Sequence, residues 1–174
     1  MAEYATKNIE INQGSTWTSD FFVVIDPVGA IVDFTGKTFK MQIRKNIYAS
    51  TSILEMTDAD GQIVVTNGTL TGVWNVSTAY AEDEIVTYSI TQEGTTFTVY
   101  FSCDIANTGE TPSLTSTYWS IFKQINFQLS AETTEALSAG VWVYDLEVTD
   151  PTVTPEVVQK ILKGNFTIVA EVTR

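Results

Sequence analysis

The chain has no histidine. That removes the commonest general base and the commonest neutral metal ligand together. Cations are scarce: nine Lys and Arg stand against 21 Asp and Glu, for a formal net charge of −12. Nucleic-acid binding needs a cationic patch to neutralise phosphates, so this balance argues against a nucleic-acid partner and equally against an anionic membrane surface. One cysteine, Cys103, leaves no internal disulfide. It sits in the alternating run Tyr100-Phe101-Ser102-Cys103-Asp104, where a buried, inert thiol is expected. Met1 to Lys7 contains no apolar stretch of the kind a signal peptide needs. The longest apolar run nearby, Phe21 to Ile25, is far short of the roughly 20 residues of a membrane span. The expected product is made in a cytoplasm and does not insert into a membrane.

Catalytic patterns are also missing. Ser and Thr are plentiful, but no histidine accompanies them as an activating base. Glu82-Asp83-Glu84 is read as a solvated turn rather than a glycosidase pair, because a catalytic acid needs burial to raise its pKa. Asp58-Ala59-Asp60-Gly61 has the start of a calcium loop but not its later ligands, and reads as a hairpin turn. There is no phosphate-binding glycine loop and no metal-ligating cysteine cluster. The chain is not expected to be an enzyme, and neither a metal nor an organic cofactor is expected.

What is present is β-forming sequence. Trp142, Tyr144, Leu146 and Val148 share one face of a period-two run, with Val141, Val143, Asp145 and Glu147 on the other. Thr149-Asp150-Pro151 ends it. This predicts a central strand. Phe39, Met41 and Ile43 alternate with Lys40, Gln42 and Arg44 in a second half-buried strand. Other strands are expected at 8–11, 16–25, 52–56, 62–66, 123–129 and 166–172. Asp26-Pro27-Val28-Gly29 is a turn, and Asn67-Gly68 a second hairpin signal. Ala131 to Leu137 suggests a helical turn. Residues 154–164 read two ways. Thr154, Pro155 and Gly164 fit helix ends, while the β-branched pairs fit a strand, which is the expectation. Short strands at close spacing predict an all-β, antiparallel sandwich.

Between Val73 and Phe122 the loops lengthen and aromatics cluster. A small β module inserted in one loop of the sandwich is expected there. The predicted division is a sandwich of 1–73 and 122–174, with the insert at 74–121.

Two sets of residues resemble known families. Ile11-x-x-Gly14, Gly29, Asp33-Phe34-Thr35-Gly36-Lys37-Thr38 and Met41-Gln42-Ile43-Arg44 form a first block. Leu137-Ser138-Ala139-Gly140-x-x-x-Tyr144-Asp145-Leu146, Ile161-Leu162-x-Gly164 and Glu171-Val172-Thr173-Arg174 form a second. Together they resemble tailed-bacteriophage virion proteins, including the N-terminal sandwich domain of siphophage upper-baseplate proteins. The resemblance implies a non-enzymatic structural part of a virion, at a tail, baseplate, neck or head-surface position. Its implied partners are other virion proteins, and its implied state is a homo-oligomer or symmetric ring. A capsid decoration protein is an alternative within the same class.

The insert carries Trp74, Tyr80, Glu84-Ile85-Val86-x-Tyr88, Gly94-x-x-Phe97-x-Val99, Asn107-Thr108-Gly109-x-x-Pro112 and Tyr118-Trp119. It resembles the small chitin-binding type of carbohydrate-binding module. It departs from that pattern at Asp83-Glu84 and in a hairpin lengthened by Ser89 to Glu93. The alternative function implied is a host-adhesion module gripping a cell-surface polysaccharide. Candidate glycan-contacting rings are Tyr88, Tyr100, Tyr118 and Trp119. An exposed ring on a rigid hairpin stacks on a sugar with little entropy loss. A module this small also needs large aromatics for its core. That second reading is favoured for Trp74, Tyr80 and Trp119, and both stay open for Tyr88, Tyr100 and Tyr118.

Overall fold

A computed structural model describes residues 5–19 and 22–171. Among these, the chain is almost entirely β. In chain order the elements are β1 (Ala5–Thr6), β2 (Ile9–Asn12), β3 (Trp17–Thr18), β4 (Thr38–Arg44), β5 (Ser52–Thr57), β6 (Ile63–Val65), β7 (Leu70–Val73) and β8 (Ala79–Tyr80). There follow β9 (Ile85–Gln92), β10 (Thr95–Cys103), β11 (Asn107–Thr108), β12 (Trp119–Ile121), β13 (Ile125–Leu129), α1 (Ala131–Glu135), β14 (Gly140–Asp150) and β15 (Val157–Val169). The chain separates into two compact units. Unit 1 takes 1–21, 34–65 and 125–174, and unit 2 takes 22–33 and 66–124.

Unit 1 is built on the strand 140–150. β14 lies between β15 and β4 in a sheet ordered β1-β15-β14-β4-β5, with β2 also paired to β15. Its inward residues Tyr144, Leu146 and Val148 are buried as the alternation requires, and Trp142 is half-buried. Opposite them stand Ile43, Met41 and Phe39 of β4. A second sheet, β3-β13-β6, supplies Ile63, Ile125, Phe127 and Leu129 to the buried side. Trp17 of β3 meets Phe166 of β15 edge-on at 5.9 Å, and Tyr144 meets the same ring at 6.3 Å. Each such side chain contributes about 1.5–3 kcal/mol by leaving water.

Of the 154–164 stretch, residues 157–164 are strand, part of β15, which pairs with β14 from Gly140↔Ile168 to Asp150↔Val157, while 154–156 precede the strand. The register shifts between Leu146 and Glu147, so Ile161 is the extra residue of a bulge. Gly164 sits where the edge comes closest: a Cβ there would stand 2.0 Å from the Lys7 carbonyl oxygen. The Tyr144 hydroxyl donates to that same oxygen at 2.7 Å. α1 begins at Ser130, whose side chain accepts the Thr133 N–H, and buried Thr134 donates to Ser15 O. Gln13 caps the other end by donating to the Leu137 carbonyl at 2.7 Å.

Several expectations need correction. Among the described residues of 16–25, only Trp17–Thr18 is strand, so the expected single strand is not found, and Ile25 makes an isolated bridge with Ile31 in unit 2. Phe21 lies outside the described residues. The Asp58–Gly61 turn is present, but it is not a hairpin, because β5 pairs with β4 and β6 with β13. Asn67-Gly68 likewise joins β6 to β7, which pairs in parallel with β9. β1 and β2 also run parallel to β15, so the pairing is antiparallel in the main but not throughout. Phe166 and Ile168 are buried as expected, but β15 stops at Val169, and 172–174 lie outside the described residues.

Candidate functional site

Unit 2 holds every candidate glycan-contacting ring. Its main sheet is ordered β12-β10-β9-β7. β7 belongs to it, and Phe122 N–H donates to Tyr100 O, so this sheet begins before residue 74 and its bonding runs past 121. Its spine is the β9–β10 hairpin. Gln92 pairs with Thr95 around Glu93 and Gly94, both at positive φ, which is the two-residue turn that matches strand twist.

That turn sets the register and the register sorts the rings. Tyr88 pairs with Val99, Ile90 with Phe97, and Val86 with Phe101, so these six share one face. Cys103, Trp119 and Ile121 continue it. Tyr100 pairs with Thr87 and points the other way. The first face packs around Val86, Phe101, Cys103, Trp119 and Tyr80, with Trp74, Tyr88 and Tyr118 against them. Tyr100 packs instead with Ile85, Phe122 and Ile31, joined by Val23 and Ile25 from the 22–33 segment.

The four candidate rings therefore do not form one surface. Trp119 is 1% exposed. Its Nε1 donates to Glu110 O at 2.7 Å, and its ring meets Tyr80 edge-on at 5.2 Å. It is a core residue, with no ring face free for a sugar. Tyr100 lies on the opposite face from Tyr88 and is half-buried in a separate cluster. Tyr88 and Tyr118 remain on the same side, both half-buried. Beside Tyr88 stand two rings that were not among the candidates. Trp74 meets it edge-on at 5.5 Å, and Phe97 is 49% exposed. The Trp74 Nε1 is buried without a hydrogen-bond partner. The signal that could have found this strip is Glu93-Gly94, since a two-residue turn there fixes 88, 90, 97 and 99 to one side.

A groove of about 620 Å³ opens on the same unit, lined by polar residues such as Ser102, Asp104 and Ser120 and equally by apolar ones such as Leu114, Ile121 and Phe122. Ser120 donates to Asp104 Oδ1 at 2.8 Å. The lining mixes hydroxyls, the Asp104 carboxylate and Lys123 with the apolar surface of Leu114, Ile121 and Phe122. Cys103 is buried. Burial pushes its thiol up, a backbone hydrogen bond at Ile105 pulls it down, and the nearby charges of Asp104, Glu84 and Glu82 push it up further.

In unit 1 the Asp58–Gly61 turn spends its carboxylates internally. Asp58 accepts the Phe39 N–H at 2.9 Å, and Asp60 accepts the Thr57 hydroxyl at 2.6 Å. Among the described residues, no three metal-ligating side chains of the acidic, cysteine or histidine kinds gather. No described helix is long and apolar enough to cross a membrane. Comparison with protein-family models, with curated proteins and with solved structures finds no match.

Proposed function

We propose that this chain is a non-enzymatic structural component of a tailed-phage particle, docking on other virion subunits at a tail, baseplate, neck or head-surface position. The observation that supports this reading is the meeting of residues far apart in sequence. Met41 pairs with Leu146, Ile43 with Tyr144, Leu146 with Leu162 and Tyr144 with Gly164. Those residues carry the virion-protein resemblance, and they are cross-strand neighbours in one sheet. The test is mass spectrometry of gradient-purified particles from a lysate expressing this chain. The reading requires the chain at a stoichiometry comparable to known virion subunits. Its recovery only in the soluble, particle-free fraction would remove the proposal.

A second reading, glycan adhesion through unit 2, is favoured by the Trp74–Tyr88–Phe97 strip with its unpartnered indole N–H. An array of cell-surface polysaccharides tests it. Binding lost in Phe97→Ala and Tyr88→Ala, with melting preserved, supports adhesion. No binding by the native chain rejects it.

A further inference from the structure

Charge is unevenly spread along this chain. Residues 34–54 hold Lys37, Lys40, Arg44 and Lys45 and no carboxylate, and of these Lys37 is already paired with Asp150. Unit 2 holds eight carboxylates and one cation, Lys123. The cationic stretch ends at the turn between β4 and β5. There the Asn46 side chain accepts the Tyr48 N–H at 2.9 Å, and the Asn46 carbonyl accepts the Ala49 N–H at 3.1 Å. These bonds hold the turn in one shape. Ile47 is 72% exposed and Tyr48 89%. At its foot Arg44 bonds Gln42 through Nη2, while its Nε is buried without an acceptor. Tyrosine and arginine beside an aliphatic side chain are the residue types that anchor protein interfaces. A turn already held in place loses little entropy on docking.

Unit 2 carries a complementary surface. Asp83 N–H donates to Cys103 O at 2.8 Å and Cys103 N–H to Glu84 O at 2.9 Å, which sets the Glu82-Asp83-Glu84 turn beside Asp104 and Ile105. Ile105 is 47% exposed. Glu82, Asp83 and Asp104 are exposed around it. The corner thus frames an aliphatic side chain with carboxylates.

We propose that the turn bearing Arg44, Lys45, Ile47 and Tyr48 in one copy docks on the Glu82, Asp83, Asp104 and Ile105 corner of a second copy. The two surfaces are different patches, so the contact is heterologous and copies join head to tail. Charge steers the encounter and apolar burial holds it, so salt weakens it. The role of this contact in a particle rests on the virion reading above; the contact itself belongs to the isolated chain.

Sedimentation velocity of the full-length chain, over a concentration series at low and high ionic strength, tests it. Native protein should associate with rising concentration, less so at high salt. Tyr48→Ala, Lys45→Glu and Glu82→Lys should each weaken association about tenfold or more, with unchanged thermal melting. Lys45→Glu and Glu82→Lys together in one chain recreate the pair with its signs exchanged and should restore association. A native chain that stays monomeric overturns the proposal, as does a double variant no tighter than either single. Failure of this exchange for a chain found in particles sinks only the contact. Success of it for a chain absent from particles sinks only the virion role.

Discussion

Gln124 shows how one side chain ties distant segments together. It is fully buried, accepts the Val24 N–H at 2.7 Å and donates to the Val32 carbonyl at 2.6 Å. Replacing it with leucine leaves two backbone groups without partners. The expected loss is about 2–4 kcal/mol, read by denaturant unfolding. In sequence it is only one polar member of the alternation Gln124-Ile125-Asn126-Phe127, because its partners lie 100 and 92 residues away. Tyr144 titrates abnormally for a related reason: burial pushes its phenol well above the ordinary value of 10.0. The fold then favours the neutral form. Its contribution to stability is full below about pH 10 and falls as pH rises beyond, so alkaline unfolding should be shallower in Tyr144→Phe. Asp150 is the opposite case. Hydrogen bonds from the Lys37 side chain, then from Thr152, lower its carboxyl to about 2. Its contribution holds above about pH 3.9 and is lost as pH falls towards 2. Lys37→Met should return the Asp150 carboxyl towards the ordinary range in an NMR titration.

Strands were legible wherever one face is wet. β4 and β14 each show the period of two, and their buried residues are the ones the pattern names. β15 was ambiguous, because Pro155 and Gly164 mimic helix ends. What decides it is pairing along the whole of β14, a long-range fact. Gly164 is there for close approach to the Lys7 carbonyl and not for any helix cap. Gly164→Ala should cost about 1–3 kcal/mol and loosen β1 first, which hydrogen exchange at Lys7, the donor to Lys163 O, would report. The Asp-Gly and Asn-Gly pairs point to hairpins because local chemistry specifies a turn. It does not specify which sheet the next strand joins. The aromatic strip was half legible: its rings are visible in the sequence, but their sides follow from the Glu93-Gly94 turn.

At the scale of the molecule, an all-β fold follows from composition and patterning, and that much of the architecture is visible before any coordinates. The division into units is not, because unit 2 recruits residues 22–33 from far upstream. The contacts of Ile25 and Ile31 with the Ile85 and Phe122 cluster have no local signature. The candidate site divides for the same reason, with Trp119 in a core and Tyr100 on the far face of a sheet. Trp119→Ala should therefore destabilise the chain by about 3–5 kcal/mol, whereas an exposed binding ring would cost little. The central claim is that this chain is a repeated structural part of a phage particle. A cryo-electron reconstruction of the intact particle tests it most directly. The account predicts density matching unit 1 and unit 2 in several symmetry-related copies against other virion subunits. A particle complete in every subunit, with no density that either unit fits, would contradict it.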